Sequence, residues 1–278
     1  VEANVMKLTQ EQLQSYEEAG YLLLPGCFSA AEVEVLRAEL PGLFAEDSPR
    51  RVIEKSSQVV RSVYGSHSTN EVFRRLASHP RLVEPAQQIL GSPVYVYQFK
   101  INAKIAFLGD VWEWHQDFIF WQREDGVPDP RLVTMTVFLD DVTEFNGPLM
   151  FVPGSHREGV LNPPRVGGVP DGYEGSPDWI ANLTADLKYS IDKETLARLV
   201  GRTGMVAPKG PAGSALFFHP NLVHGSVPNL SPYDRKLVLV TYNSVENVPR
   251  FPEQQRPEFI VSRDFSPISP LADNSLLA

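Results

Sequence analysis

Val94-Tyr-Val-Tyr-Gln-Phe-Lys-Ile101 is a run of β-branched and aromatic residues with neither glycine nor proline inside it. Such a run favours a pleated strand. A second follows at 132–139 (LVTMTVFL), and shorter ones stand at 149–152, 214–218 and 237–242, separated by turn-rich segments. Upstream the pattern differs. Thr9-Gln-Glu-Gln12 and Ser29-Ala-Ala-Glu32 both have capping-box spacing ahead of helical periodicity. The first helix ends at Gly20, before a short buried strand at 21–24, and the second stops near Pro41. Further helices are expected at 70–77 and 80–90, the latter closed by Gly91. Helices first and strands afterwards predict a mainly β fold, an antiparallel core with flanking α helices packed outside it.

The 278 residues include 42% hydrophobic and 21% charged residues, the balance of a globular chain. No linker divides them, so one domain is expected over 1–278. A net charge of −9 argues against a nucleic-acid partner. The lone cysteine, Cys27, excludes an intramolecular disulfide and a multi-cysteine zinc site, and fits a cytoplasmic location. No apolar run approaches the ~18 residues of a membrane span. Residues 157–205 form a long insertion rich in Gly, Pro and polar residues, with a helix expected at 193–200, capped by Asp192 and ended by Gly201. A loop of this length reads as an active-site lid. The proline-rich tail after Val248 reads as a surface wrap.

Chemistry concentrates in Trp112-Glu-Trp-His-Gln-Asp-Phe118. If this stretch is extended, His115 and Asp117 leave the same face of one strand. A carboxylate among so many aromatic rings would cost several kcal/mol unless a cation compensated it. The best candidate for a third ligand is His224, 109 residues after His115 and beyond the strand-like SALFFH segment, with His219 as its competitor. His219 reads as a packed histidine, His156 as part of a strand-ending turn, and His67 and His79 as structural or exposed. Two imidazoles and one carboxylate on one face of an octahedron suit non-haem Fe(II). Arg235 follows His224 by 11 residues across a run of turn formers. A hairpin would bring it back toward the metal, where a guanidinium can clamp a carboxylate through two parallel hydrogen bonds.

With these residues in place, the sequence resembles the phytanoyl-CoA dioxygenase family of Fe(II)/2-oxoglutarate oxygenases, in its ectoine-hydroxylase-like branch. The family pattern appears as His115, Asp117, His224 and Arg235, with the branch segments QFKIN, WHQDFIFWQREDGVP, EFNGPLMFVPGSH and HGSVPNLSP around them. The resemblance implies a double-stranded β-helix (jelly-roll, cupin-like) core with iron on the triad. It implies 2-oxoglutarate as cosubstrate with O₂, gripped by Arg235 and held by Asn102, Thr134 and Ser226. Asp117 stands where related halogenases have Gly or Ala, which favours hydroxylation. Ile119-Phe120 replace polar residues of ectoine hydroxylases, and the wording is similar to that of bacterial free-leucine 5-hydroxylases of natural-product biosynthesis. The expected substrate is therefore a small free aliphatic L-amino acid, with Gln98, Lys104, Trp121 and Phe218 lining its pocket. The alternatives are hydroxylation of ectoine or another small metabolite, and a non-oxygenase cupin-like metal protein that would need no Arg235.

Overall fold

The computed structural model describes residues 7–55, 57–163, 169–170 and 172–278. Both capping boxes form. Thr9 caps α1 (Gln10–Ala19), which ends at a left-handed Gly20 before β1 (Tyr21–Leu24). Ser29 caps α2 (Ala30–Ala38). Pro41 does not end the helical region. It sits in the first turn of a further helix, α3 (Leu40–Ala45), where its missing N–H has no intrahelical partner to lose. Two strands follow that the sequence reading passed over, β2 (Arg51–Ile53) and β3 (Val60–Tyr64). Both are short, and Arg61 and Ser62 break the apolar run that would have marked β3. Asn70 caps α4 (Glu71–Ala77), and α5 (Pro80–Leu90) closes at Gly91 as expected.

The β-rich region supplies β4 (Val94–Lys104), β5 (Trp112–His115), β6 (Leu132–Phe138), β7 (Met150–Phe151), β8 (Ala215–Phe218), β9 (His224–Ser226) and β10 (Arg235–Ser244). A helix, α6 (Asp117–Asp125), interrupts it. Seven strands form one sheet in the order β1-β8-β6-β10-β4-β3-β2, and three form a second in the order β5-β9-β7. Each strand pairing is antiparallel, as the helices-then-strands pattern requires. This is a jelly-roll core with helices on its outer side.

Alternation along the large sheet separates two apolar sets. Val133, Met135, Val238 and Val240 pack against Phe73, Leu76, Leu82 and Val83 of α4 and α5. On the opposite face Phe138, Leu216, Phe218, Leu237 and Leu239 pack with Phe151 of the small sheet. A third cluster joins Tyr95 and Tyr97 to Phe118, Phe120 and Trp121 of α6, and to Ile180, Leu183 and Leu187 of the long insertion. The insertion thus contributes to the core over part of its length. Its helix, α7 (Lys193–Thr203), is capped by Asp192 but runs through Gly201. An interior glycine costs about 1 kcal/mol relative to alanine. Packing of Leu199 against Ile191, Val152 and Val223 offsets it. The tail does more than wrap the surface, because Ile260, Val261 and Arg256 are buried. Among the described residues no helix is long and apolar enough to cross a membrane.

Two glycines separate backbone strain from steric clash. Gly126, which ends α6, has φ +74°, and a Cβ there would lie 2.1 Å from the Arg250 carbonyl oxygen. Gly91 has φ +62° with nothing within 4 Å of an added Cβ. Gly91→Ala carries only the left-handed penalty of roughly 1–2 kcal/mol, or a fall in Tm of about 2–8 °C. Gly126→Ala is expected to fall further, since the backbone must also move. Thermal melts of the two variants beside the wild type check the order.

Candidate active site

His115 and Asp117 do not share the face of one strand. β5 stops at His115, Gln116 is the N-cap, and Asp117 is the first residue of α6. The two side chains converge across a strand-to-helix turn. His224 arrives by sheet pairing, since His115 of β5 stands opposite His224 of β9. Their rings lie 4.2 Å apart by centroid. His115 Nε2 is 3.6 Å from Asp117 Oδ1, and His224 Nε2 is 3.9 Å from Asp117 Oδ2. The ligand atoms of all three lie within 4.8 Å of one another.

Backbone carbonyls set the imidazole tautomers. His115 Nδ1 lies 2.6 Å from Glu113 O, and His224 Nδ1 lies 2.9 Å from Leu222 O. A carbonyl can only accept, so Nδ1 donates and the Nε2 lone pairs are left toward Asp117. Burial, with the neighbouring His115, pushes the His224 pKa down to about 3, so its ring is neutral and ligand-ready at physiological pH. Burial alone would raise the Asp117 pKa. Lys100, His224 and His115 outweigh that and hold it well below the usual carboxylate range. Asp117 Oδ2 is buried with no hydrogen-bond partner among the described residues, a costly state that a divalent cation relieves. The donor set of two nitrogens and one carboxylate fits Fe(II).

The other histidines stay out of this group. His219 is a packed residue, its Nδ1 accepting from Asn221 N at 3.0 Å and its ring 5.0 Å from that of His156. His156 lies in a 3₁₀ turn after β7. His67 stacks on Phe99, and His79 caps α5.

The large sheet is the floor of the site. A register shift at Thr241/Tyr242 leaves Tyr97 as an extra residue in β4, a β-bulge. Beyond it Gln98, Lys100, Asn102 and Lys104 share the inner face, while Phe99 and Ile101 face the helices. Rows of opposed residues result: Thr134, Thr241 and Gln98; then Thr136, Leu239, Lys100 and Tyr64; then Leu237, Asn102 and Ser62; then Arg235 and Lys104. Arg235 is not the second arm of a hairpin. β9 belongs to the small sheet and β10 to the large one, so the turn-rich segment between them crosses from one layer to the other.

Arg235 is 1% exposed, and its side chain makes no hydrogen bond or ion pair with a described residue. Burial pushes its pKa down to about 9, against the pull of Asp140. Asn102 Oδ1 and Ser226 Oγ are likewise buried without partners. Thr134 Oγ1 lies 3.0 Å from Thr241 Oγ1, which leaves one hydroxyl proton of the pair free. Ser62 Oγ and Thr136 Oγ1, which the sequence reading did not single out, are also orphaned. A guanidinium and several unpaired hydroxyl and amide groups on one floor suit a polar, carboxylate-bearing cosubstrate.

Beside the triad lies a pocket with His115 and Asp117 in its wall. Of the four residues expected in the substrate pocket, Gln98 and Trp121 line this one. Lys104 and Phe218 do not. Lys104 Nζ donates to the carbonyls of Asp110 (2.7 Å), Ser226 (3.4 Å) and Val227, tying β4 to the end of β9. Phe218 packs behind the triad, its ring 5.1 Å from that of His224. Of the apolar pair on α6, Phe120 reaches the cavity, whereas Ile119 is in the core. The remaining walls are Trp112 and Leu183, with Tyr64, Lys100 and Arg256 as polar contributors. Lys100 was legible, two residues after Gln98 on the same strand. Tyr64 lies on the unrecognised β3, and Arg256 comes from the tail, where Asp125 pairs with it at 2.8 Å.

The chain matches the phytanoyl-CoA dioxygenase family over residues 16–237. It is 44% identical over 256 residues to an L-proline trans-4-hydroxylase of Streptomyces griseoviridis, covering 92% of this chain and 93% of that one. It is 39% identical over 274 residues to an ectoine dioxygenase of Bordetella bronchiseptica, covering 95% and 86%. The crystal structure of EctD from S. alaskensis with 2-oxoglutarate and 5-hydroxyectoine superposes with a TM-score of 0.80 at 32% identity, covering 98% of this chain and 92% of that one. The same protein solved with bound Fe gives 0.78 at 33% identity, covering 95% and 87%.

Two substitutions test the site. Losing only the hydrogen-bond partner of a metal ligand costs ~10–100-fold in affinity. If Asp117 is itself a ligand, Asp117→Ala is expected to weaken Fe(II) binding more than that and to abolish turnover. The metal-free variant should melt somewhat below metal-free wild type, because the charge that Lys100, His224 and His115 stabilise is gone. Calorimetric metal titration and thermal melts measure both. If Arg235 pairs with the distal carboxylate of 2-oxoglutarate, Arg235→Ala leaves that carboxylate unpaired in a partly dry site, roughly 2–5 kcal/mol, and the 2-oxoglutarate KM should rise on the order of 30-fold or more. Steady-state titration of 2-oxoglutarate reads this directly.

Proposed function

The chain belongs to the phytanoyl-CoA dioxygenase family, and from that membership and the cavity beside the triad we propose that it hydroxylates C5 of a free leucine-type L-amino acid. The activity class is an Fe(II)- and 2-oxoglutarate-dependent dioxygenase that hydroxylates small amino-acid-like substrates. The net reaction converts R–H, 2-oxoglutarate and O₂ into R–OH, succinate and CO₂. One oxygen atom enters the product and the other enters succinate.

Bound iron supplies the centre at which O₂ is activated, and His115, Asp117 and His224 are the residues that would hold it. Arg235 grips the distal carboxylate of 2-oxoglutarate, with Asn102 and Ser226 meeting its remaining polar atoms, whereas Thr134 lies in the row of Gln98, three rows from Arg235. Phe120, Trp121, Trp112 and Leu183 surround the substrate side chain and keep water from the reacting carbon. Gln98 Nε2 donates to Ile260 O at 3.1 Å, which orients the amide and leaves its oxygen for the substrate ammonium. The observation that carries the reading is this pocket, open to His115 and Asp117 and lined by apolar Trp112, Phe120, Trp121 and Leu183 together with polar Tyr64, Gln98 and Lys100. An aliphatic amino acid has the same division, a charged head and an apolar carbon chain. The hydroxylated product suits a building block for natural-product biosynthesis.

A second reading has proline as the substrate, because the proline hydroxylase relative is 44% identical to this chain over 256 residues. Leucine, proline, ectoine and N-acetyl-leucine, each with Fe(II), 2-oxoglutarate and O₂, separate the readings. Succinate and a product heavier by one oxygen atom are measured. Leucine and its near relatives should all be hydroxylated, differing by ~10–200-fold per methylene, and N-acetyl-leucine should be poor. Proline outrunning leucine moves the assignment to the cyclic amino acid. Ectoine or N-acetyl-leucine outrunning every free aliphatic amino acid removes it.

A further inference from the structure

The cations around the inner face of the large sheet are satisfied, with two exceptions. Arg61 pairs with Glu54 at 3.0 Å, Arg256 with Asp125 at 2.8 Å and Lys188 with Glu124 at 2.9 Å. Lys104 is held by backbone carbonyls. Arg235 and Lys100 have neither a hydrogen bond nor an ion pair with any described residue. Arg235 lies in the last row of the floor, away from the cavity lining. Lys100 lies in the lining itself, half-buried beside His115 and Asp117.

Tyr64 stands directly opposite Lys100 in the pairing of β3 with β4. Opposed residues of an antiparallel pair carry their Cβ atoms about 4.5–5.5 Å apart, so the two polar tips serve the same end of the cavity. Tyr64 also lines the cavity and is 1% exposed, yet its hydroxyl has no hydrogen-bond partner among the described residues. An orphaned buried phenol is costly unless a ligand meets it. If Lys100 served only as counter-charge to Asp117, the Tyr64 hydroxyl would still be unexplained. An ammonium and a phenol O–H side by side offer donors to both oxygens of one carboxylate. Gln98, two residues before Lys100 on the same face of β4, offers an amide oxygen next to them. An acceptor beside two donors matches the ammonium and carboxylate of an α-amino acid.

We propose that Tyr64 and Lys100 form the cradle for the substrate α-carboxylate, and that the enzyme therefore requires this carboxylate to be free. The cradle rests on the amino-acid reading above. It assigns the two unpaired cations to two different anions, Arg235 to the cosubstrate and Lys100 to the substrate. It also predicts that leucine linked through its carboxylate, as an amide or a thioester, is excluded.

The test compares leucine with leucinamide on wild type, Lys100→Met, Lys100→Arg and Tyr64→Phe. In Lys100→Met the leucine KM should rise on the order of 30-fold or more, with the 2-oxoglutarate KM near that of wild type. The preference of wild type for leucine over leucinamide should largely vanish in this variant, a change that a merely structural role for Lys100 does not produce. Lys100→Arg should restore most of the preference, and Tyr64→Phe should lose about tenfold of it. Calorimetric titration of leucine into protein loaded with Mn(II) and 2-oxoglutarate gives the same comparison without turnover. An unchanged leucine-to-leucinamide ratio in Lys100→Met overturns the cradle, as does a raised 2-oxoglutarate KM with an unchanged leucine KM. If wild type turns over proline and not leucine, the ratio of proline to prolinamide tests the cradle in the same way, so the choice of substrate and the cradle fail separately. Turnover of leucinamide equal to that of leucine by wild type overturns it outright.

Discussion

One extra residue in β4 decides which chemistry faces the interior. Up to Tyr97 the strand turns Tyr95 and Tyr97 inward and Val94 and Val96 toward the helices. At the bulge opposite Thr241/Tyr242 the parity reverses, and Gln98, Lys100, Asn102 and Lys104 face inward instead. Without it, strict alternation would continue the inward face through Phe99 and Ile101 and drive two lysines into the apolar layer beneath α4 and α5. Burying an unpaired ammonium there would cost several kcal/mol. The bulge therefore permits an aromatic wall and a polar floor on a single strand.

The polar interior is sorted by whether its charges are paired. Arg61 with Glu54 and Arg256 with Asp125 are closed pairs, and both brace the cavity. Arg61 also donates to the carbonyls of Leu183 (3.1 Å), Thr184 (3.3 Å) and Val111 (2.7 Å), fastening the insertion beside β5. Its guanidinium lies over the Trp112 ring at 3.8 Å. Tyr97 adds its hydroxyl to Asp125. Beside these closed pairs Asp117, Arg235, Lys100 and Tyr64 are open, as are Asn102, Ser226, Ser62 and Thr136. Buried polar groups left open around the triad mark where ligands belong.

Much of the site was readable because its elements are local. The capping residues Thr9, Ser29, Asn70 and Asp192 each act on an amide three residues onward, so helix starts follow from neighbouring residues alone. The strands around Gln98, Thr134, Phe218 and Thr241 carry β-branched and aromatic runs that need no partner to recognise. His115, Asp117 and His224 stood out by residue type in an aromatic setting. What failed depended on partners. The polar strand β3, with Arg61 and Ser62 at its centre, is held by pairing with β4, which no single-strand pattern records. Arg256 looked like a residue of a surface tail until Asp125, 131 positions away, supplied its counter-charge.

The sequence by itself determined the residue types that make this an iron and 2-oxoglutarate site, the helix boundaries set by caps, and the apolar runs that become the core strands. Only the tertiary structure decided how those residues meet. His115 and Asp117 converge because a strand ends and a helix begins between them, which the two-residue spacing alone misdescribed. Lys104 is drawn to carbonyls at the end of β9, while Lys100, four residues earlier on the same face, is left to the cavity. Residues four apart on a strand look alike in sequence. Their roles differ because the groups across from them, Arg235 for one and Tyr64 for the other, are set by long-range strand register.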